Sequence, residues 1–269
     1  MGVLNVTPDS FSDGGRHVDP AVAVDAAVAM EADGVAVIDV GAVSARPGAA
    51  GLSPDEEWAR LEPVLGPLRE ATSVPLSLET THPEVLDRAL EVGVDLLNEI
   101  TAAADPRLLA VAGAADLPVA IMHTRGTPET MQDDPSYADV EAEVRAELLA
   151  AADRAVDAGV ARGSILLDPG IGFAKRQEDN LELLGGLPRL CDWGYPILLG
   201  CSRKSFLGRI TGREVHEREH ATTATTVWGA LCGASLIRVH DVRAAVDALA
   251  VVAAITEARG AVVPFVTDR

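Results

Sequence analysis

The chain alternates short apolar runs with longer amphipathic segments that are rich in alanine. Eight of the runs are nearly continuous in apolar residues, as strands buried on both faces are: residues 2–6, 35–40, 74–79, 95–100, 118–123, 164–168, 196–200 and 235–240. Helical segments are predicted between and after them, over residues 20–33, 54–71, 83–92, 106–115, 137–158, 179–190, 216–232 and 242–259. Proline near several predicted helix starts, and Gly34, Gly93 and Gly159 after predicted helix ends, mark the boundaries.

Eight strand–helix units in 269 residues predict a (β/α)8 barrel, the α/β fold of the TIM-barrel class. No linker or low-complexity run divides the sequence, so residues 1–269 are predicted to form a single domain. A doubly wound parallel sheet is the alternative, although no GxGxxG motif opens the chain.

Three segments that follow predicted strands are long and polar: residues 7–19, 42–53 and 124–136. In barrels of this class, the loops at the carboxyl ends of the strands carry the active site. The loop lengths therefore predict which face of the barrel is functional. They also predict that the first, second and fifth loops act as lids.

Charge and composition exclude several classes of function. The formal net charge is −19 without any basic run, so nucleic acid is not expected as a partner. Apolar runs fall short of the ~18 residues that a membrane span needs, and no basic leader with an apolar core opens the chain. Three cysteines without CxxC spacing are typical of a reduced protein, and we expect a cytoplasmic location.

Polar side chains close every predicted strand. In chain order they are Asn5, Asp39, Glu79, Asn98, His123, Asp168, Ser202 with Lys204, and Arg238 with His240. A buried polar group that lacks a partner costs about 1–3 kcal/mol, so packing does not explain a complete ring of them at one end of an apolar barrel. We interpret the ring as a binding site.

The predicted ring divides by charge. Lys204, Arg238 and His240 follow the seventh and eighth strands, where barrels commonly bind phosphate, and Arg46 in the second loop could reach the same edge. Hydrogen-bond acceptors and amides lie across the mouth, which suits a flat heterocycle. The pattern therefore predicts a ligand with a hydrogen-bonding ring at one end and phosphate at the other.

Only two of the 22 basic residues are lysines, Lys175 and Lys204, and both follow predicted strands. An ammonium is a compact charge with three rotatable donors, whereas a guanidinium is a rigid planar fork. The retention of lysine in an otherwise arginine-only chain indicates a ligand role for Lys204. For Lys175, a ligand role and chance survival are equally compatible with the sequence.

Four segments carry a family resemblance: MGVLNVTPDSFSDGG at the start, LLDPGIGFAK at the end of the sixth predicted strand, LLGCSRKSF, and IRVHDV. In order and spacing they resemble the dihydropteroate synthase family of folate biosynthesis, the target of sulfonamides. The resemblance implies a (β/α)8 barrel transferase. Its members join a 7,8-dihydropterin hydroxymethyl diphosphate to p-aminobenzoate and release pyrophosphate with the help of Mg²⁺. It also implies a homodimer.

The resemblance implies roles for individual residues. The pterin ring would be held by Asn98, Asp168 and Lys204, with Glu79 at the place of a pterin-facing aspartate and Met122 and Phe173 lining the pocket. The diphosphate would be bound by Arg46, Arg238 and His240, and Asn5 would help to ligate Mg²⁺. The first loop, which would close over the site, contains Thr7, Pro8, Asp9 and Phe11. The p-aminobenzoate pocket would comprise Phe11, Pro47, Lys204 and Ser205. Asp168, Lys204 and Arg238 are the predicted catalytic residues.

The sequence departs from the family pattern near the predicted pterin pocket. The second loop reads GAVSARPG instead of GGESTRPG, with Val43 and Ala45 at polar positions, and the third strand ends in SLET instead of SIDT. One added methylene moves the Glu79 carboxylate by about 1 Å, a displacement that can change a rate by ~10²-fold. Three alternatives to an active synthase therefore stay open: a paralogue with a different amine substrate, a pterin-binding protein with little synthase activity, and, ranked last, a pterin-binding methyltransferase.

Overall fold

The computed structural model describes residues 1–6, 19–43, 51–127, 130–133, 135–258 and 260. In this part of the chain, the strands are β1 (Gly2–Asn5), β2 (Ile38–Gly41), β3 (Leu76–Glu79), β4 (Leu96–Glu99), β5 (Val119–Met122), β6 (Ile165–Asp168), β7 (Leu198–Leu199) and β8 (Leu236–Ile237). The α-helices are α1 (Pro20–Ala32), α2 (Pro54–Ala71), α3 (Pro83–Val92), α4 (Pro106–Ala114), α5 (Val140–Asp157), α6 (Gln177–Gly185), α7 (Leu187–Cys191), α8 (Ser205–Thr211), α9 (Glu219–Cys232) and α10 (Val242–Ala258).

All strand pairs are parallel, and the sheet closes on itself. Strands β1 to β6 pair in chain order, and β7 pairs with β8. Two parallel bridges join these sheets, one between Leu167 and Ile197 and one between Gly2 and Val239. The strand order therefore runs once around an eight-stranded barrel, which confirms the predicted (β/α)8 architecture and excludes the doubly wound alternative.

Helix boundaries follow from local sequence signals. Proline occupies the first turn of α1, α2, α3 and α4, where its missing N–H costs no hydrogen bond. Helix α2 begins with a capping box, in which Ser53 and Glu56 satisfy each other's backbone N–H groups. Helix α3 ends at Gly93 in the left-handed conformation, a geometry that glycine adopts without strain.

The core has an inner and an outer layer because successive strand residues face opposite sides of the barrel wall. Leu96 belongs to a small apolar cluster with Met1, Ala120 and Leu198, whereas the neighbouring Leu97 belongs to the large cluster under the helices. Asn98, two residues after Leu96, therefore faces the barrel interior on the carboxyl side of the small cluster. The barrel interior is therefore apolar around this small cluster and polar at its mouth, where the carboxyl ends of the strands lie.

Several predicted boundaries are wrong. Strands β7 and β8 are two residues long, not five and six, and β2 begins at Ile38 instead of residue 35. The predicted helix over residues 179–190 is two helices, because α6 ends at Gly185 and Gly186 separates it from α7, which has proline in its first turn. The predicted helix over residues 216–232 begins only at Glu219, after a short 3-10 turn.

Other sequence predictions lie partly outside the described residues. The first loop and most of the second loop belong to residues 7–18 and 44–50, so their predicted lid role stays a prediction. The single-domain prediction for residues 1–269 also stays a prediction, because residues 261–269 are not described. None of the described helices is long and apolar enough to cross a membrane.

Candidate active site

The predicted polar ring forms at one end of the barrel. Glu79 and Asp168 are the last residues of β3 and β6, Asn98 lies in β4, and Arg238 directly follows β8. The strand register places Glu79 beside Asn98, and Met122 beside Asp168. Since all strands are parallel, these side chains share the carboxyl-terminal mouth of the barrel.

Asp39 is the centre of a buried hydrogen-bond network at this mouth. Its side chain is fully buried. One carboxylate oxygen accepts from Ser77 Oγ at 2.6 Å, and the other accepts from Asn98 Nδ2 at 3.0 Å. Asn98 Nδ2 also lies 3.3 Å from Glu79 Oε2. The Asn98 amide therefore has a fixed orientation, with its nitrogen toward the two carboxylates and its oxygen left to accept from a ligand.

Arg238 bridges the same two carboxylates. Its Nε donates to Asp39 Oδ2 at 2.6 Å, and its Nη2 donates to Glu79 Oε2 at 2.8 Å. The predicted division of the ring into a cationic half and an acceptor half is therefore wrong at Arg238, whose guanidinium lies among the acceptors. The physical reason is that two buried carboxylates need a positively charged partner inside the barrel, and the planar guanidinium of Arg238 can donate hydrogen bonds to both.

Burial and pairing shift the pKa values of these groups in opposite directions. Burial raises the pKa of Glu79 to about 7, although the Arg238 guanidinium acts against this shift. Burial alone would lower the pKa of Arg238, but the carboxylates of Asp39 and Glu79 outweigh burial and raise it. Arg238 is therefore always charged, and Glu79 is the group of this pair whose protonation changes near neutral pH.

The raised pKa of Glu79 predicts a pH dependence of stability. The folded state keeps the Glu79 proton up to about pH 7, whereas the unfolded chain loses it near its ordinary value of 4.5. Stability is therefore lost as the pH rises through this window, by on the order of 1–3 kcal/mol. We expect the free energy of unfolding of the wild type to fall between pH 4.5 and 7 relative to that of Glu79→Gln, measured by urea denaturation. Parallel curves for the two proteins contradict this assignment.

Asp168 and Lys204 lie close to Arg238, because the three residues end or follow the consecutive strands β6, β7 and β8. A methyl group placed on Gly200 would lie 3.8 Å from Asp168 Oδ2, 3.8 Å from Lys204 Nζ and 3.9 Å from Arg238 Cβ. The three predicted catalytic residues thus surround one point. Burial raises the pKa of Asp168 and lowers that of Lys204, and in each case the other group's charge opposes the shift.

Lys204 also contacts the loop that follows β6, residues 169–176, which we call the glycine loop. Lys204 Nζ donates to the backbone oxygen of Ile171 and lies 4.5 Å from the centroid of the Phe173 ring. This distance is within the range of a cation–π interaction. The loop therefore brings Phe173 to the charged centre, as the sequence predicted.

The remaining predicted residues differ in their surroundings. Met122 is buried beside Asp168, whereas Ser205, the first residue of α8, is exposed. Ser202 Oγ lies 2.8 Å from His240 Nδ1 and also accepts from the His240 backbone N–H, so this pair links the ends of β7 and β8. Six predicted residues lie outside the described part of the chain: Thr7, Pro8, Asp9, Phe11, Arg46 and Pro47.

Sequence reasoning missed two residues that support the site. Ser77 orients Asp39, and its place two residues before Glu79 in a strand is the signal that both face the barrel interior. Asn180 on α6 accepts from the Gly172 backbone N–H through Oδ1 and donates to Arg176 O through Nδ2. No sequence motif marks Asn180, because its partners are backbone groups.

The donor set at the mouth bears on the predicted Mg²⁺ site. In the described residues, no group of three or more histidine, cysteine, aspartate or glutamate side chains could hold a metal ion. Asn5, the last residue of β1, is half-buried at the same end of the barrel. A single amide oxygen fits Mg²⁺, which is commonly bound through one or two protein oxygens, substrate phosphates and water.

The fold and this site define a TIM-barrel enzyme with a charged, buried pocket at the carboxyl ends of its strands. The family model described as pterin binding enzyme matches residues 1–240. The chain is 47% identical over 262 residues to the dihydropteroate synthase of Mycobacterium leprae, covering 94% of this chain and 92% of the relative. It is 42% identical over 259 residues to the dihydropteroate synthase of Escherichia coli, covering 96% and 92%.

Solved structures agree with the sequence relatives. The dihydropteroate synthase of Yersinia pestis with a sulfonamide drug superposes with a TM-score of 0.91 at 39% identity, covering 96% of this chain and 94% of that one. The Xanthomonas albilineans dihydropteroate synthase with 4-aminobenzoic acid superposes with a TM-score of 0.89 at 42% identity, covering 95% and 92%. The chain belongs to the pterin binding enzymes, in the dihydropteroate synthase family.

Proposed function

We propose that the chain condenses 6-hydroxymethyl-7,8-dihydropterin diphosphate with p-aminobenzoate to dihydropteroate and releases pyrophosphate. The observation that carries the proposal is the convergence of Asp168, Lys204 and Arg238 around one point above Gly200. A carboxylate, an ammonium and a guanidinium at one barrel mouth suit a substrate that joins a polar heterocycle to a diphosphate. The likeness to dihydropteroate synthases along most of the chain supports the same reaction.

The pterin ring would bind to Asp168, Asn98 and Lys204. Asp168 Oδ1 accepts from the Gly170 backbone N–H at 2.7 Å, which leaves the other oxygen to accept from a ring N–H. The free oxygen of the Asn98 amide is a second acceptor, and Lys204 is a donor. Met122 and Phe173 would supply apolar and aromatic contacts to the ring faces.

The diphosphate would lie on the side of the mouth formed by the ends of β7 and β8, near His240, and Arg46 would also bind it, whereas Pro47 would belong to the p-aminobenzoate pocket. Because Asp39 and Glu79 hold Arg238 in place, its remaining N–H groups would reach the pterin end of the substrate as well as its leaving group. Mg²⁺ held by Asn5 and the diphosphate would neutralise the charge of the departing pyrophosphate.

The chemistry needs positioning and charge stabilisation more than a strong nucleophile. Diphosphate is a good leaving group, and the electron-rich dihydropterin can delocalise the cation that remains on its methylene carbon. The arylamine nitrogen of p-aminobenzoate then attacks this carbon to form the C–N bond and loses one proton to the solvent. Asp168 favours the cationic ring, and the cations at the mouth favour the leaving group, so both charges that develop meet a fixed opposite charge.

A direct assay tests the proposed function. Purified protein is incubated with pterin diphosphate, p-aminobenzoate and Mg²⁺, and dihydropteroate and pyrophosphate are measured together. We expect both products in equal amounts, and loss of both on chelation with EDTA that added Mg²⁺ reverses. Absence of both at high enzyme concentration contradicts the synthase reaction. Pyrophosphate with a different arylamine, but not with p-aminobenzoate, indicates an altered amine substrate instead.

The proposed enzyme acts in the cytoplasm as a homodimer. Exposed apolar side chains on the paired helices α9 and α10 support an interface there: Trp228 and Leu231 on α9, and Val251 and Ile255 on α10, expose 45–62% of their surface. Such a patch on the outer face of adjoining helices is typical of a protein–protein contact. Sedimentation velocity tests this proposal, which a monomer at micromolar concentration contradicts.

A further inference from the structure

Both lysines of the chain donate to backbone oxygens of the same loop. Lys204 reaches the glycine loop from the end of β7 and donates to Ile171 O. Lys175 belongs to the loop itself, and its Nζ donates to Gly170 O at 3.1 Å and Phe173 O at 3.0 Å. Three carbonyl groups of the loop are thus tied to two ammonium groups.

Lys175 differs from Lys204 in that it is buried, with only 2% of its surface exposed. Its third contact is His123 Nδ1, at 2.8 Å. Burial, together with the charge of Lys175, lowers the pKa of His123 to about 3, so the imidazole is neutral. Because His123 Nε2 lies 3.0 Å from Glu147 Oε2, its proton is on Nε2, and Nδ1 accepts from Lys175.

This arrangement matches three ammonium donors to three acceptors. The acceptors are two loop carbonyl oxygens and one imidazole nitrogen; the contacts to Gly170 O and His123 are buried, and that to Phe173 O is partly buried. Burial lowers the pKa of Lys175 to about 7, and the negative charge of Asp168, the residue before the loop, opposes this shift. A buried charge without such partners is costly, so the loop conformation and the Lys175 contacts stabilise each other.

The backbone of the glycine loop has little conformational freedom at Gly170 and Gly172. Gly170 has a φ of +65°, and a side chain there would overlap the backbone oxygen of His123. Gly172 has a φ of +86°, and a methyl group there would lie 3.1 Å from Lys204 Cδ. Lys175 donates to the carbonyls of Gly170 and Phe173, so it fixes the backbone on both sides of Gly172.

We propose that Lys175 is a positioning residue for the synthase reaction, holding the glycine loop in the shape that presents Phe173 and the Ile171 carbonyl to Lys204. Lys175 touches neither substrate. It acts through the loop, and it joins the loop through His123 and Glu147 to Arg125 at the start of the fifth loop. The expected effect of Lys175 on catalysis rests on the proposed function, whereas its effect on the loop conformation is independent of that function.

Lys175→Met tests the proposal, because methionine keeps most of the length and the apolar stem of lysine and lacks the three donors. Hydrogen–deuterium exchange without substrate is expected to show faster exchange of the amides in residues 169–176, by about tenfold or more. In the synthase assay, KM for the pterin diphosphate is expected to rise about tenfold and kcat to fall, since small displacements of Phe173 and Lys204 weaken the contacts to the ring. Lys175→Arg, which keeps donors, is expected to lie between Lys175→Met and the wild type.

Tyr137→Phe is the matched control. It removes a hydrogen bond of 2.8 Å to Ala174 O, in the same loop, without touching the Gly170 or Phe173 carbonyls. We expect wild-type kinetic constants for this variant. If Lys175→Met does not fold, Lys175→Gln, which keeps two donors on a shorter side chain, takes its place.

The outcomes separate this inference from the proposed function. A Lys175→Met protein with wild-type exchange in the loop and wild-type KM overturns the positioning role. A lower melting temperature with unchanged KM and kcat at a permissive temperature overturns it too, because that result assigns Lys175 to stability alone. If the wild type makes no dihydropteroate, the synthase proposal fails, and the exchange experiment still decides the role of Lys175 in the loop.

Discussion

Lys204→Arg is expected to lose at least ~10²-fold in kcat/KM although the positive charge is kept. The Lys204 ammonium fits between Phe173, the Ile171 carbonyl and Asp168, and its stem passes close to Gly172. A guanidinium is larger and planar, and its donors diverge in a fixed fork, so it cannot occupy this place without displacing the loop. Initial rates of pyrophosphate release, measured over a range of pterin diphosphate concentrations, give the change.

The control for Lys204→Arg is Arg209→Lys, the reverse exchange on the neighbouring helix α8. Arg209 is exposed and donates to Gln177 at 2.8 Å, away from the barrel mouth. We expect no change in kcat/KM for this variant. Near-normal turnover by Lys204→Arg would show that a positive charge alone is sufficient at this position, and the argument from lysine retention then fails.

Arg238→Met is expected to have the second large effect, on stability as well as on activity. Removal of the guanidinium leaves Asp39 and Glu79 without their cation inside the barrel. Removing one partner of a buried ion pair costs about 3–5 kcal/mol of stability. The lower end of this range applies here, because 22% of the Arg238 side chain is exposed. We therefore expect the free energy of unfolding to fall by about 3 kcal/mol at pH 8. We also expect kcat/KM to fall by ~10²-fold or more, because the leaving group loses a fixed positive charge.

A double variant identifies the cause of the stability loss. Combining Arg238→Met with Glu79→Gln also removes the Glu79 carboxylate, whose hydrogen-bond partners are Arg238 and the Asn98 amide. We expect this double variant to recover part of the stability that Arg238→Met loses, but none of the activity. The stability loss of Arg238→Met is also expected to be smaller at pH 5, because the raised pKa of Glu79 lets this side chain take up a proton there. Equal losses at both pH values, with no recovery in the double variant, contradict the uncompensated-charge explanation.

The sequence predicts the barrel well because the signal for it is repeated eight times. Each apolar run is long enough to be a strand, and many of the helical segments begin or end at proline or glycine. Strand ends are less well predicted at β7 and β8, where pairing stops after two residues. Buried apolar residues lie just outside these pairs, Ile197 before β7 and Val239 after β8, so an apolar pattern alone does not show where a ladder of hydrogen bonds ends.

The sequence predicted which polar residues lie at the barrel mouth in the described part of the chain, but not how they are connected. The strand-end positions of Asp168, Lys204 and Arg238 follow from the spacing of the motifs, and the structure brings them together. The ion pairs of Arg238 with Asp39 and Glu79 join residues separated by 199 and 159 positions in the chain. Such contacts depend on how the barrel closes, which no local pattern encodes. The same holds for the contact between Lys175 and His123.

The glycine loop has a consequence for how this gene can change. A lysine codon becomes an arginine codon by one transition, and the abundance of arginine, alanine and glycine in the chain is typical of a genome under pressure toward G and C. Positions at which either cation serves have therefore been free to drift to arginine. We expect the exchange to be costly at the two ammonium groups that bind loop carbonyls, so orthologues from similar genomes are expected to retain lysine codons at these two positions.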